Sequence, residues 1–188
     1  MSAPSVPRSG CWPSLAVGAR HSPAHLDPML GKVLNALAFQ VGWLACVLGG
    51  TPWALPTVIM IVTCHLLWLG IPGEWRWLAG FALLGAGVDG TLTLLGGLRF
   101  PGASELPLWL WLLWPLFATT LHHSLAWLWS HPWLAILGGA LGGPSSYLGG
   151  ARLADVELAP WAVVVQAIVW SSICGWLALR AATSRDRP

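Results

Sequence analysis

Six apolar runs fill the chain from Val33 to Leu179, and between them they contain one formally charged residue, Asp89. The runs are Val33–Gly50, Trp53–Gly70, Trp77–Gly96, Leu106–Trp129, Trp133–Gly150 and Pro160–Leu179. Each is close to the ~20 residues that an α-helix needs to cross a hydrocarbon layer. Lipid cannot satisfy open backbone groups, and the runs lack the strict alternation of a barrel strand, so helices are expected. The expected fold is all-α: a polytopic membrane protein with a six-transmembrane-helix bundle and short loops over residues 29–182. Only 9% of the residues are charged, against roughly 25% in a soluble domain, which excludes a free soluble globule. A net charge of +2 gives no case for a nucleic-acid partner.

The ends are different material. Residues 1–28 carry Pro4, Pro7, Pro13, Pro23 and Pro28, scattered serines and no sustained apolar run, so a disordered tail is expected. Met29 stands directly before the first run and is an alternative start. Residues 183–188 form a short second tail. Cys46, Cys64 and Cys174 lie inside apolar runs and Cys11 lies alone, with no CxxC pair, so all four read as small packing residues or inert thiols.

Orientation follows from Lys and Arg. With the N-terminus inside, the cytoplasmic side carries Arg8, Arg20, Lys32, Arg76, Arg180, Arg185 and Arg187, against Arg99 and Arg152 outside. An even number of spans also puts both termini on that side. Trp53, Trp109, Trp111 and Trp161 fall near outer ends, and Trp68, Trp75, Trp77, Trp127, Trp129, Trp133 and Trp176 near inner ends, as interfacial indoles should. Trp43, Trp114 and Trp170 lie deeper and read as packing residues.

Helices in lipid associate by close packing, which small residues at four-residue spacing permit. Four such ladders occur: Ala38, Gly42, Cys46, Gly50; Ala82, Ala86, Gly90; Ala135, Gly139, Gly143, beside Gly138, Gly142, Ser146; and Ala167, Ser171, Gly175. Pro144 in the third ladder predicts a kinked or broken helix lining a cavity with Ser145, Ser146 and Tyr147.

Asp89 is the residue with most to say. A carboxylate near mid-membrane costs about 2.5–3.5 kcal/mol on insertion scales, so it must face the bundle interior or be protonated. Counting 1.5 Å per residue along each run sorts the intramembrane polar groups into two layers. The outer layer is Asp89, Gln166, Ser145, Ser146 and Tyr147; the inner one is Gln40, His65, His122, His123, Ser171 and Ser172. Each layer is either an interhelical hydrogen-bond network or a substrate path. Bis-His haem would need His65 opposite His122 or His123, and adjacent histidines on a helix point about 100° apart, so only one could face it. A metal site would lack a carboxylate at that level, and no GxSxG elbow is present. No catalytic, cofactor or metal role is therefore assigned.

Several stretches resemble a bacterial inner-membrane family, the domain of unknown function twenty-eight seventy-eight. They are LNALAFQVGWLACVLGG (Leu34 to Gly50), PGEWRW (Pro72 to Trp77), the Asp of GAGVDG (Asp89), LRFPG (Leu98 to Gly102), Leu106 to Leu125, and GGPSSYLGGARL (Gly142 to Leu153). The resemblance implies a small inner-membrane protein with no assigned reaction, and a lipid-related accessory role beside other membrane proteins or lipid-modifying enzymes. The expected function is a non-enzymatic membrane component that binds lipid or partner helices, with the bilayer as its first partner. The alternative is a small proton-linked transporter that uses Asp89 and the polar layers.

Overall fold

The computed structural model describes residues 27–102 and 105–185. The tail at residues 1–26, with Cys11, and residues 186–188 lie outside the described residues. In chain order the elements are α1 (Pro28–Trp68), α2 (Trp75–Leu94), β1 (Leu98–Arg99), α3 (Leu108–Ala118), a 3-10 turn at Leu128–Ser130, α4 (Pro132–Leu153), β2 (Glu157–Leu158) and α5 (Pro160–Arg185). Three of them, α1, α2 and α5, are long and apolar enough to cross a membrane, and α3 is a shorter apolar helix. The surface agrees: Leu67, Leu83 and Leu94 are 73%, 76% and 87% exposed, and apolar exposure on this scale belongs against lipid. The chain is a helical membrane protein.

α1 begins ahead of the first expected run because Asp27 caps it. Its Oδ1 accepts from the Met29 N–H at 2.8 Å, and Pro28 takes the first helical position, where no N–H is needed. Asp27→Ala should lower stability in detergent by about 1 kcal/mol, while Asp27→Asn should leave it unchanged. Equal thermal melting of the two variants would remove this cap from the account.

The 41 residues of α1 would make a straight rod about 60 Å long. Gly50 prevents that. Its φ of 60° and ψ of −162° are outside the helical region, in a conformation that glycine reaches without a Cβ clash. The chain then doubles back. Asn35 Nδ2 lies 3.5 Å from His65 Nδ1, 30 residues away in sequence, and a straight helix would hold the two about 45 Å apart. The first two expected runs are therefore two limbs of a hairpin, residues 28–49 and 51–68.

The fourth run departs from expectation. It is α-helical only to Ala118, and from Thr119 to Trp127 the chain runs in turns. Pro115 has already removed one helical donor. The hydroxyls of Thr119 and Thr120 then donate to the carbonyls of Leu116 and Phe117 at 2.7 and 2.6 Å, a local alternative to further helix. Of the kink or break expected at Pro144, the break does not occur: α4 continues through it. A short antiparallel bridge, unexpected in an all-α chain, pairs Leu98 with Leu158 and Arg99 with Glu157. It joins the link after α2 to the link after α4. Its Arg99–Glu157 ion pair at 3.9 Å is largely exposed and adds little.

α4 packs mainly on α5, and α3 on both α1 and α2. Three of the small-residue ladders do serve these contacts. Gly42 faces Ile61 and Leu116, Gly139 and Gly143 face Trp170, and Gly175 faces Ile136. The ladder on α2 does not. Ala86 is exposed and nothing stands within 4 Å of a side chain at Gly90. The buried face of α2 is instead Leu78, Phe81, Gly85, Asp89 and Leu92.

Candidate functional site

Asp89 is fully buried, and three donors point at its two oxygens. Trp114 Nε1 donates to Oδ2 at 2.7 Å. The Tyr147 hydroxyl and Gln166 Nε2 donate to Oδ1 at 2.7 and 3.2 Å. The donors come from α3, α4 and α5, so this one side chain ties α2 to three other helices. An acceptor-only arrangement is what an ionised carboxylate offers. Gly85, one turn before Asp89, lets the Trp114 indole lie against the α2 backbone; a Cβ there would collide with the ring. Trp114 also stacks on Trp170 at 5.0 Å. Trp114 was expected only to pack, and it is a ligand of the buried acid as well.

A second cluster forms around Glu74, which precedes α2 and was missed by the sequence reading because it stands in a link beside Arg76. Its side chain is 0% exposed. His65 Nε2 lies 3.3 Å from Oε2, His123 Nε2 3.2 Å from Oε1 and His122 Nδ1 3.6 Å from Oε1. The Ile71 N–H donates to Oε2 at 3.0 Å. Burial works against the charge of Glu74, but the Ile71 N–H and the imidazoles of His65 and His123 outweigh it and hold the carboxyl below its usual range. The expectation that this level lacks a carboxylate is thus corrected. The argument that only one of His122 and His123 could face His65 holds in its outcome, with the His123 ring 4.7 Å from that of His65 and His122 on Trp77, but not in its premise. It assumed a helix, and these residues lie in turns, so both reach Glu74. The ligating atoms of His65, Glu74 and His123 lie within 4.8 Å of one another, a spacing that can hold a metal ion.

Asn35 backs this cluster and was also missed. Its Oδ1 accepts from the Ser124 hydroxyl at 2.7 Å, its Nδ2 donates to the Thr119 carbonyl at 3.1 Å, and the same nitrogen faces His65.

The remaining layer residues do not join either cluster. Gln40 is exposed. Ser171 and Ser172 donate to the Ile168 carbonyl of their own helix. Ser145 is exposed, and Ser146 accepts from Trp43 Nε1 at 3.0 Å, away from Asp89.

Between the first limb of α1 and helices α3, α4 and α5 lies a half-open cavity of about 340 Å³. Its walls are apolar: Phe39, Trp43 and Val47 from α1, Leu113 and Phe117 from α3, and Trp170 from α5. On the α4 side Gly138 and Gly142 leave space that side chains would fill, while Gly139 and Gly143 let Trp170 pack against the helix backbone. The cavity foreseen at Pro144 exists, but glycines open it rather than a broken helix. Ser146 and Tyr147 supply its polar edge, and the buried Trp170 Nε1 has no hydrogen-bond partner among the described residues.

A family model described as "Protein of unknown function (DUF2878)" matches residues 32–176. The chain belongs to this family. The match takes in Asn35, His65, Glu74, Asp89, Trp114, His122, His123, Tyr147 and Gln166, so both clusters lie inside the family domain. Neither a curated protein nor a solved structure matches the chain.

Proposed function

We propose that the protein is a non-enzymatic component of a bacterial inner membrane, crossing it six times with both termini cytoplasmic, that holds the hydrocarbon chain of a lipid in the cavity between α1, α3, α4 and α5. The cavity carries this reading. Its volume of about 340 Å³ is in the range of small-molecule sites, and its apolar walls offer a hydrocarbon chain nothing to desolvate. Asp89 speaks for a structural interior rather than a carrier's path, because it is sealed and fully engaged by three side-chain donors. The hairpin at Gly50, α2, α3 with its turns, α4 and α5 supply six crossings in alternating directions. The β1–β2 bridge puts the links after α2 and α4 at one end, as that topology requires.

Two experiments test this. Gly142 lines the cavity, and nothing stands within 4 Å of a side chain placed there. Gly142→Leu should therefore fold normally and fill the space. Displacing about 60 Å² of apolar contact costs roughly 1.5 kcal/mol, about tenfold in retention. Native mass spectrometry of the detergent-purified protein reads lipid occupancy directly. Wild-type protein without bound lipid, or equal occupancy in the variant, would sink the proposal. For topology, a reporter fused at Pro188 should report cytoplasm and one in the 97–105 link periplasm; the reverse pattern at Pro188 overturns the orientation.

A further inference from the structure

His65, Glu74, His122 and His123 come from three separate stretches: the end of α1, the link before α2, and the turns after α3. They bring three imidazoles to one buried carboxylate. Two of the imidazole nitrogens, His65 Nε2 and His122 Nδ1, are buried and have no hydrogen bond of good geometry among the described residues, only charge contacts of 3.3 and 3.6 Å with the Glu74 oxygens. His65 and Glu74 are 3% and 0% exposed. Unpartnered nitrogens are costly in such a place, and native interiors seldom leave them so. Ligand atoms held 2.0–2.2 Å from a tetrahedral ion are separated by about 3.3–3.6 Å. His123 and His65 stand 3.2 and 3.3 Å from the two Glu74 oxygens, close to that spacing, and the ligand atoms of the three residues lie within 4.8 Å of one another.

We propose that His65 Nε2, His123 Nε2 and Glu74 bind one divalent transition-metal ion, and that His122, whose Nδ1 lies 3.6 Å from Glu74, swings inward on binding to become the fourth ligand. Three imidazoles and one carboxylate suit zinc and its neighbours, whereas magnesium and calcium need shells of oxygen. Four protein ligands make the site a structural one, tying the α1 hairpin to α2 and to the turns after α3. The way in is past His122, whose side chain is 31% exposed, and His123 at 15%. Binding is linked to proton movement. An ion on His65 Nε2 puts the ring proton on Nδ1, 3.5 Å from the Asn35 amide, so Asn35 must turn its oxygen toward it and give up its bonds to the Thr119 carbonyl and to Ser124 as the ion binds. Asn35 is thus a positioning residue for the ion.

The test uses the full chain in detergent, stripped with a chelator and titrated with Zn²⁺, with Co²⁺ as the spectroscopic probe and Mg²⁺ as the control. Expected are one Zn²⁺ per chain, a melting temperature that rises with Zn²⁺ and falls again with chelator, a Co²⁺ d–d band of a tetrahedral site, and no response to Mg²⁺. His123→Ala and Glu74→Gln should each weaken Zn²⁺ binding at least roughly a hundredfold, and Asn35→Ala by roughly tenfold. His131, exposed and outside the cluster, provides the control: His131→Ala should change nothing. Absence of saturable binding to the wild-type chain overturns the proposal. Binding that survives both ligand substitutions, or that is lost with His131→Ala, overturns it equally. If the ligand variants fail to accumulate, the wild-type titration and its Co²⁺ spectrum decide.

Discussion

Asp89→Leu is expected to be among the most damaging single substitutions in the chain. It removes the acceptor from three donors at once, Trp114 Nε1, the Tyr147 hydroxyl and Gln166 Nε2. Each donor left buried without a partner costs about 1–3 kcal/mol. Relief from burying the carboxylate offsets part of this, and the net loss should exceed about 3 kcal/mol, read as failure to accumulate or a large drop in melting temperature. Asp89→Asn should stay within about 1 kcal/mol of wild type. The asparagine oxygen can still accept from Trp114. Its amide can donate to Tyr147 and to a turned Gln166, whose Oε1 has no hydrogen-bond partner among the described residues of the wild-type chain. Leucine melting with the wild type would remove Asp89 as the tie between helices. The asparagine variant also separates the two functional readings. Asparagine cannot titrate, so a stable variant with an unchanged cellular phenotype eliminates the proton-linked carrier, and a stable, inactive one puts that carrier ahead of the lipid holder.

The second large effect lies one turn away. Gly85→Ala pushes a methyl group into the Trp114 indole. The ring cannot yield, being held by Asp89 on one edge and stacked on Trp170. Overpacking of this kind costs typically 1–3 kcal/mol, and the strained hydrogen bond puts this case at the upper end. Gly87 and Gly90 on the same helix have nothing within 4 Å of an added Cβ. Alanine there should be neutral or stabilising by up to about 1 kcal/mol, since glycine is the poorer helix former. The three alanine variants melted side by side give the ranking; Gly85→Ala falling among the other two would refute the packing argument.

Much of the Asp89 site was legible because depth along a straight helix is simple arithmetic. Asp89, Tyr147 and Gln166 were placed at one level by counting residues, and the structure brings them together. Counting gives height but not direction around the axis. Gln40 lies five residues after Asn35, about 140° further round the helix, so when Asn35 faces in, Gln40 faces out. Ser171 and Ser172 have a partner in their own helix backbone, a choice that position in sequence does not disclose. Glu74 was hidden by its company. A glutamate two residues before an arginine in a short link reads as surface, and only the fold shows the link tucked beneath the histidines. The early start of α1 did have a signal, the Asp-Pro pair at Asp27 and Pro28. The end of α3 had one too, in Pro115 followed by Thr119 and Thr120.

The turns after Ala118 carry a consequence for how the protein is made. Backbone that has left the helix cannot rest alone in hydrocarbon. Here the Thr119 carbonyl is taken by Asn35 and the Leu121 carbonyl by Trp129. The first of these partners belongs to α1, which emerges from the ribosome long before α3, and the second is synthesised only a few residues after the carbonyl it serves. The segment thus cannot settle as an independent span. In the six-span topology proposed above, it would enter the membrane in the company of the hairpin made earlier, and the order of the chain would be the order of assembly.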